Sequence, residues 1–228
     1  TGLWLEILEK LERANREGAK LVGMTANRPG GILMSWDSFN IFMDRPSYLE
    51  VAALPLSERL VQLRDPAMRR RILSEEVQSP LLKNGHMIVM QSLGATYIFD
   101  GDPAFEPDPS ESIGRRIEQL GESAEKVVYD TMCEIGKGFL HVYMGNYADG
   151  DLGAVEQMMR HEGTFVGAAD GGAHVTVLCD AGYPTFMLQH WVRDRSRGER
   201  FSVEEAVRML TKEPADLYGF LDRGVVEP

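Results

Sequence analysis

The sequence predicts an α/β fold, and three observations carry that prediction. Short apolar runs near residues 21, 87, 97, 140 and 165 read as strands, segments of helical period lie between them, and an acid stands just past the last of these runs. These runs are too few for a closed barrel of about eight strands. The architecture is therefore either an open sheet or the back part of a barrel whose front is absent.

The elements follow in order. Leu3, Trp4, Ile7, Leu8, Leu11 and Ala14 fall at helical spacing, with Glu6, Lys10, Arg13 and Arg16 opposite them, and Gly18 is a natural stop. Residues 21–25 form an apolar run, followed by the turn-rich Asn27-Arg-Pro-Gly-Gly. Residues 36–54 are irregular, with Pro46 and Pro55 as breakers, and read as a loop carrying a short helix. Asp65-Pro66 reads as an N-cap with proline at the first helical position, opening a helix to about Val77. Residues 86–91 and 96–100 read as strands split by Ser92-Leu93-Gly94, and 101–110 as a stiff polar connector. Helices are expected at 112–120 and 124–135, a strand at 139–144, a loop at 146–151 and a helix at 152–161. After the strand that leads to Asp170, residues 184–195 read as a helix. Ser202 with Glu205 makes a capping box ahead of 203–210, and Pro214 opens a last short helix that Gly219 ends.

Composition narrows the function. The chain has 228 residues, 24 basic against 35 acidic, a formal net charge of −11 and 43% hydrophobic content. That balance argues against a general nucleic-acid binder, whose footprint is a basic face. The basic cluster at 68–72 alternates with acids at helical spacing and reads as a solvated helix face. Cys133 and Cys179 are the only cysteines, so no disulfide framework is implied and a reducing cytoplasm fits. No apolar run reaches the length of a membrane span, and the first residues do not form a signal peptide. A start at Thr1 and a bare ending at Pro228 read as a piece of something longer.

Strong motifs for phosphate, dinucleotide, serine-elbow and HExxH chemistry are missing. His86, His141, His161, His174 and His190 show neither HxH nor one-turn pairing, so spacing alone reads no metal site. His86 and His141 read as hydrogen-bonded structural histidines in strands, His161 as a helix-terminal residue and His190 as a helix-face residue. The stretch 164–174, TFVGAADGGAH, is different: a strand end delivers Asp170 into a glycine turn, with His174 four residues on. An Asp before two glycines is also a common turn cap. The end of an apolar strand is where barrel catalysis sits, and a nearby histidine can hold the loop or share a proton. On the residues alone both readings stand open.

From Asp170 onward the chain resembles the end of a barrel in the amidohydrolase superfamily, and more narrowly the N-acyl-D-amino-acid deacylase (D-aminoacylase) group. The residues that carry this are Ala169-Asp170-Gly171-Gly172-Ala173-His174, Asp180-Ala181, Pro184-Thr185 and Trp191-Val192-Arg193. The resemblance runs on through Glu205-Ala206-Val207, Leu210-Thr211, Pro214-Ala215, Leu217-Tyr218-Gly219 and Asp222-Arg223-Gly224. Less specific likeness extends upstream through Arg28-Pro29-Gly30, Phe42, Pro55-Leu56-Ser57-Glu58-Arg59, Leu63-Arg64-Asp65-Pro66, Ser110, Ile113 and Tyr129-Asp130.

The resemblance implies that residues 1–228 are one partial domain, the second half of a TIM-type (β/α)8 barrel. The first strands, with their His-x-His and middle-strand histidine ligands, and the following β-sandwich are absent. It implies a metal-dependent hydrolase of non-peptide amide C–N bonds with one or two zinc ions. Asp170 would be both a metal-site residue and the general base for zinc-bound water, and His174 would orient the loop or the acid. Most zinc ligands are expected before Thr1, and this fragment alone is expected to be inactive. The substrate is a small-molecule amide, an N-acyl-D-amino acid first and a cyclic amide as the alternative within the superfamily. Well-marked members carry an arginine shortly after the Asp–His motif, suited to a substrate carboxylate. Residues 177–182 hold none, which leaves Arg28 and Arg193 as the substrate-binding candidates. The competing class is a metal-free, non-catalytic barrel relative that binds a small molecule or a partner chain. A homo-oligomer is left open.

Overall fold

Helices begin where a cap and an apolar period coincide. A computed structural model of the chain describes residues 2–101, 104–168, 171–172, 174–175, 177–178 and 180–226. Helix α1 (Leu3–Arg16) follows the first apolar period and leads to strand β1 (Gly23–Thr25) and strand β2 (Gly30–Met34). Short helices α2 (Pro46–Leu49) and α3 (Leu56–Leu63) precede α4 (Pro66–Ser74). The Asp65 carboxylate accepts from the N–H groups of Ala67 and Met68 at 2.9 and 3.0 Å, and Pro66 occupies the first helical position, where no N–H is needed. Then come α5 (Pro80–Gln91), β3 (Thr96–Phe99), α6 (Ile113–Leu120), α7 (Ala124–Ile135) and β4 (Phe139–Gly145). Next are α8 (Gly153–Arg160), β5 (Thr164–Val166) and α9 (Tyr183–Phe186), which runs on as a π-helical stretch, Met187–Asp194. Helix α10 (Val203–Leu210) opens on the expected capping box, and α11 (Lys212–Leu217) follows.

The fold is α/β and divides into two compact units. The first takes residues 1–30, 145–173 and 179–228, and the second takes 31–144 with 174–178. In the first unit β1 and β5 pair in parallel, Gly23 opposite Thr164 and Thr25 opposite Val166, and α8 packs on both strands. Strand, helix and parallel strand thus form a βαβ crossover, and residues 31–144 of the second unit are inserted in sequence between β1 and α8. Trp191, Met187, Val155 and Ala206 are fully buried in this unit.

The second unit has a three-stranded sheet of order β2-β4-β3, with β3 and β4 antiparallel and Tyr97 opposite His141. Its core is aromatic: Trp36 stacks on Tyr48 with ring centroids 5.7 Å apart and meets the edge of Tyr129 at 5.1 Å. Gly31 lets β2 approach β4, because a Cβ there would collide with the Val142 carbonyl.

Three expectations are corrected. Residues 86–91 are helical, the end of α5, because Pro80 starts a helix upstream; an apolar run that short does not distinguish a strand from a buried helix turn. The glycines after Asn27 are not only a turn, since β2 begins at Gly30. The described strands form no barrel: a barrel needs parallel strands bonded in one ring, whereas these lie in two sheets and β3–β4 is antiparallel. Among the described residues no helix is long and apolar enough to cross a membrane.

Candidate functional site

The parallel pairing of β1 and β5 directs the segments after both strands to the same end of the sheet, the carboxyl end, where open α/β sheets bind ligands. After β5 the backbone continues by one more bond, Gly167 N–H donating to the Thr25 carbonyl at 2.9 Å. Ala168 then takes a positive φ of 66°, a conformation that costs a residue with a Cβ about 1–3 kcal/mol and clusters at functional sites. Asp170, the predicted base and metal-site residue, follows Val166 by four positions in sequence and lies outside the described residues.

After β1 the chain presents Asn27 and Arg28, both buried. The Arg28 side chain is 3% exposed and its guanidinium lies 3.6 Å from the Asp180 carboxylate, itself 12% exposed. The same guanidinium sits over the rings of Tyr183 and Phe186, at 5.2 and 5.9 Å from their centroids. Asn27 ties the same elements together. Its Nδ2 donates to the Tyr183 carbonyl at 2.9 Å, and its own carbonyl accepts from Trp191 Nε1 at 2.6 Å. Its Oδ1 is buried and has no partner among the described residues, which leaves an acceptor for an N–H or O–H donor. Asn146, in the left-handed region at φ 58°, donates from Nδ2 to the carbonyls of Ala26 and Arg28 at 3.4 Å each. His190 stacks on Phe186, with centroids 4.8 Å apart and planes 10° from parallel.

His174 is exposed and belongs to the second unit; its backbone, at φ 47°, makes a turn in which its carbonyl accepts from the N–H groups of Val177 and Leu178 at 2.7 and 2.9 Å. Arg193 is exposed and paired with its neighbour Asp194 at 2.6 Å; that hydrogen bond raises the guanidinium pKa and lowers the carboxyl's. Among the described residues no group of three His, Cys, Asp or Glu side chains could hold a metal ion, so they do not form a zinc centre. His86 bonds Glu125 at 2.7 Å and His161 bonds Glu12 at 3.0 Å, both as structural contacts.

Asn27 and Asn146 are parts of the cluster that sequence reasoning gave no functional role, and Asp180 entered it only as a residue of the family resemblance. The signal for Asn27 was present: a polar turn directly after an apolar strand, the same pattern that picked out Asp170. For Asn146 the only local hint was a polar residue in a loop after a strand, and the partners of Asn146 and Asp180 are 118 and 152 positions away.

Compared with protein-family models, curated proteins and solved structures, the chain matches none. The class that the fold defines is α/β, with a βαβ unit and a polar cluster at the carboxyl end of its strands.

Proposed function

We propose that the complete protein is a metal-dependent hydrolase of non-peptide amide C–N bonds, acting first on N-acyl-D-amino acids. One observation carries the reading: β1 and β5 are parallel neighbours, so the strand that leads to Asp170 ends beside the strand that leads to the Asn27–Arg28 cluster. A carboxylate carried past such a strand end is suited to take a proton from an attacking water and return it to the departing amine. The zinc that this reading requires would take its other ligands from outside the described residues. The tie to the amidohydrolase type rests on the resemblance of residues 169–224.

The test is turnover of a panel of N-acyl-D-amino acids, their L enantiomers and hydantoin-type rings by the complete, zinc-supplied protein. Selective release of the amine from the D series supports the assignment, and selective ring opening moves the substrate to cyclic amides. No turnover of any amide, in a protein that carries no zinc, sinks the hydrolase reading in favour of a small-molecule binder.

A further inference from the structure

We infer that a cleft at the amino end of β1 and β5, opposite the end to which the activity is assigned, binds a small organic amine with an apolar body. Every residue of the cleft belongs to the first unit, and the inference does not rest on the hydrolase reading.

The order of elements makes the cleft. Val22 leads into β1, and residues 161–163 join the end of α8 to β5. Across from them α10 and α11 both pack on β5. The Ser202–Glu205 capping box fixes where α10 starts and so which of its side chains face the strand. Glu205, Arg208 and Met209 stand at positions i, i+3 and i+4 of α10, and Glu213, Asp216 and Leu217 repeat that spacing on α11. Each helix thereby turns two charged side chains and one apolar side chain to the same space. That space is a cavity of about 590 Å³, within the range of sites that enclose small ligands.

Its floor is apolar. Met159, Phe201 and Met209 are each at most 5% exposed, and Phe165 and Leu217 extend the surface they make. Pairing cancels most of the charge on its rim. Arg160 meets Glu156 at 2.9 Å and Glu199 at 3.5 Å, with its guanidinium 4.2 Å from the Phe201 ring centroid. Arg208 meets Glu213 at 3.2 Å, and Asp216 pairs with Lys212. His161 is held through both ring nitrogens, Nδ1 accepting from the Gly163 N–H and Nε2 bonding Glu12, each at 3.0 Å. The charge left over is negative. Glu205 closes the capping box onto the uncharged Ser202, and Glu162 is exposed and makes no ion pair among the described residues. An apolar body gains by covering the floor, and a positive charge on it meets the two spare carboxylates, which repel an anion.

Titration of the complete protein, followed by NMR of its labelled methionine methyl groups, tests the site with phenethylamine, phenethyl alcohol and hydrocinnamate. These share a body and differ in charge. The amine is expected to bind with a Kd of about 1 mM or tighter, shifting the signals of Met159 and Met209 and not that of Met34 in the second unit. The alcohol should bind about three- to tenfold more weakly and the acid more than about tenfold more weakly. That preference should fade in about 1 M salt, where exposed charges are screened. Glu162→Gln should weaken the amine about two- to fivefold and leave the alcohol unchanged. Leu217→Trp fills the cleft from the helical side and Val22→Trp from the strand side, and each should abolish the shifts. Alcohol or acid binding as tightly as the amine overturns the choice of ligand. Shifts confined to other methionines, or amine binding that survives in either folded tryptophan variant, overturn the site. Absence of saturation by all three compounds overturns the proposal as a whole, whatever the protein does to amides.

Discussion

Single residues show where this chain tolerates no substitution. Gly31 permits the approach of β2 to β4, and a methyl group there meets the Val142 backbone, which is not free to move aside. Gly31→Ala is therefore expected to destabilise the protein by about 1–3 kcal/mol, read as a lower urea midpoint at unchanged slope. Glu156 is a second such residue. Burial opposes its ionisation, yet hydrogen bonds from Arg195 and Arg160 outweigh burial and hold its carboxyl below the usual range. A carboxyl depressed on folding adds stability above its unfolded pKa of about 4.3 and loses it as pH falls through the folded value. Arg195 is 1% exposed, so Glu156→Gln removes the carboxylate charge beside a buried guanidinium and should cost about 1–3 kcal/mol at pH 7. Denaturation of both proteins from pH 7 down to pH 3 checks the sign: the difference should shrink below about pH 4. A constant difference would exclude ionised Glu156 as its source.

Elements were legible wherever the signal was local. Asp65-Pro66 and the Ser202–Glu205 box each specify a helix start within four residues, and both helices form. Ser202→Ala should cost about 1 kcal/mol, seen as a small fall in melting temperature, whereas Ser202→Asp should keep most of the stability. Elements set by tertiary contact were not legible. β2 hides behind two glycines that read as a turn, and only the position of Val142 shows why one of them is glycine. α3 lies between breakers, and its Leu60 and Leu63 are decided by the core they enter. The run 86–91 is apolar enough for either structure, and only the upstream proline settles it. The same division holds at the candidate site. A strand end before Asn27 and another before Asp170 can be read from pattern, but the closure of Asp180 on Arg28 spans the whole insertion and leaves no local trace.

At the scale of the whole molecule, a βαβ unit accepts an inserted unit between its first strand and its helix without losing the parallel pairing of its strands. The insertion has a core of its own, built on Trp36, Phe42, Tyr48 and Tyr129. What the two parallel strands share is a carboxyl end, and the proposed activity is assigned to that end. The measurement that tests this most directly is the rate of amine release from an N-acyl-D-amino acid by the complete, zinc-supplied protein and by Asp170→Asn, with circular dichroism on both. The account predicts that the variant keeps the wild-type spectrum and loses at least about a thousandfold in kcat, the scale expected when a proton-transfer group at a reacting centre is removed. A variant that stays folded and turns over substrate at the wild-type rate would contradict it.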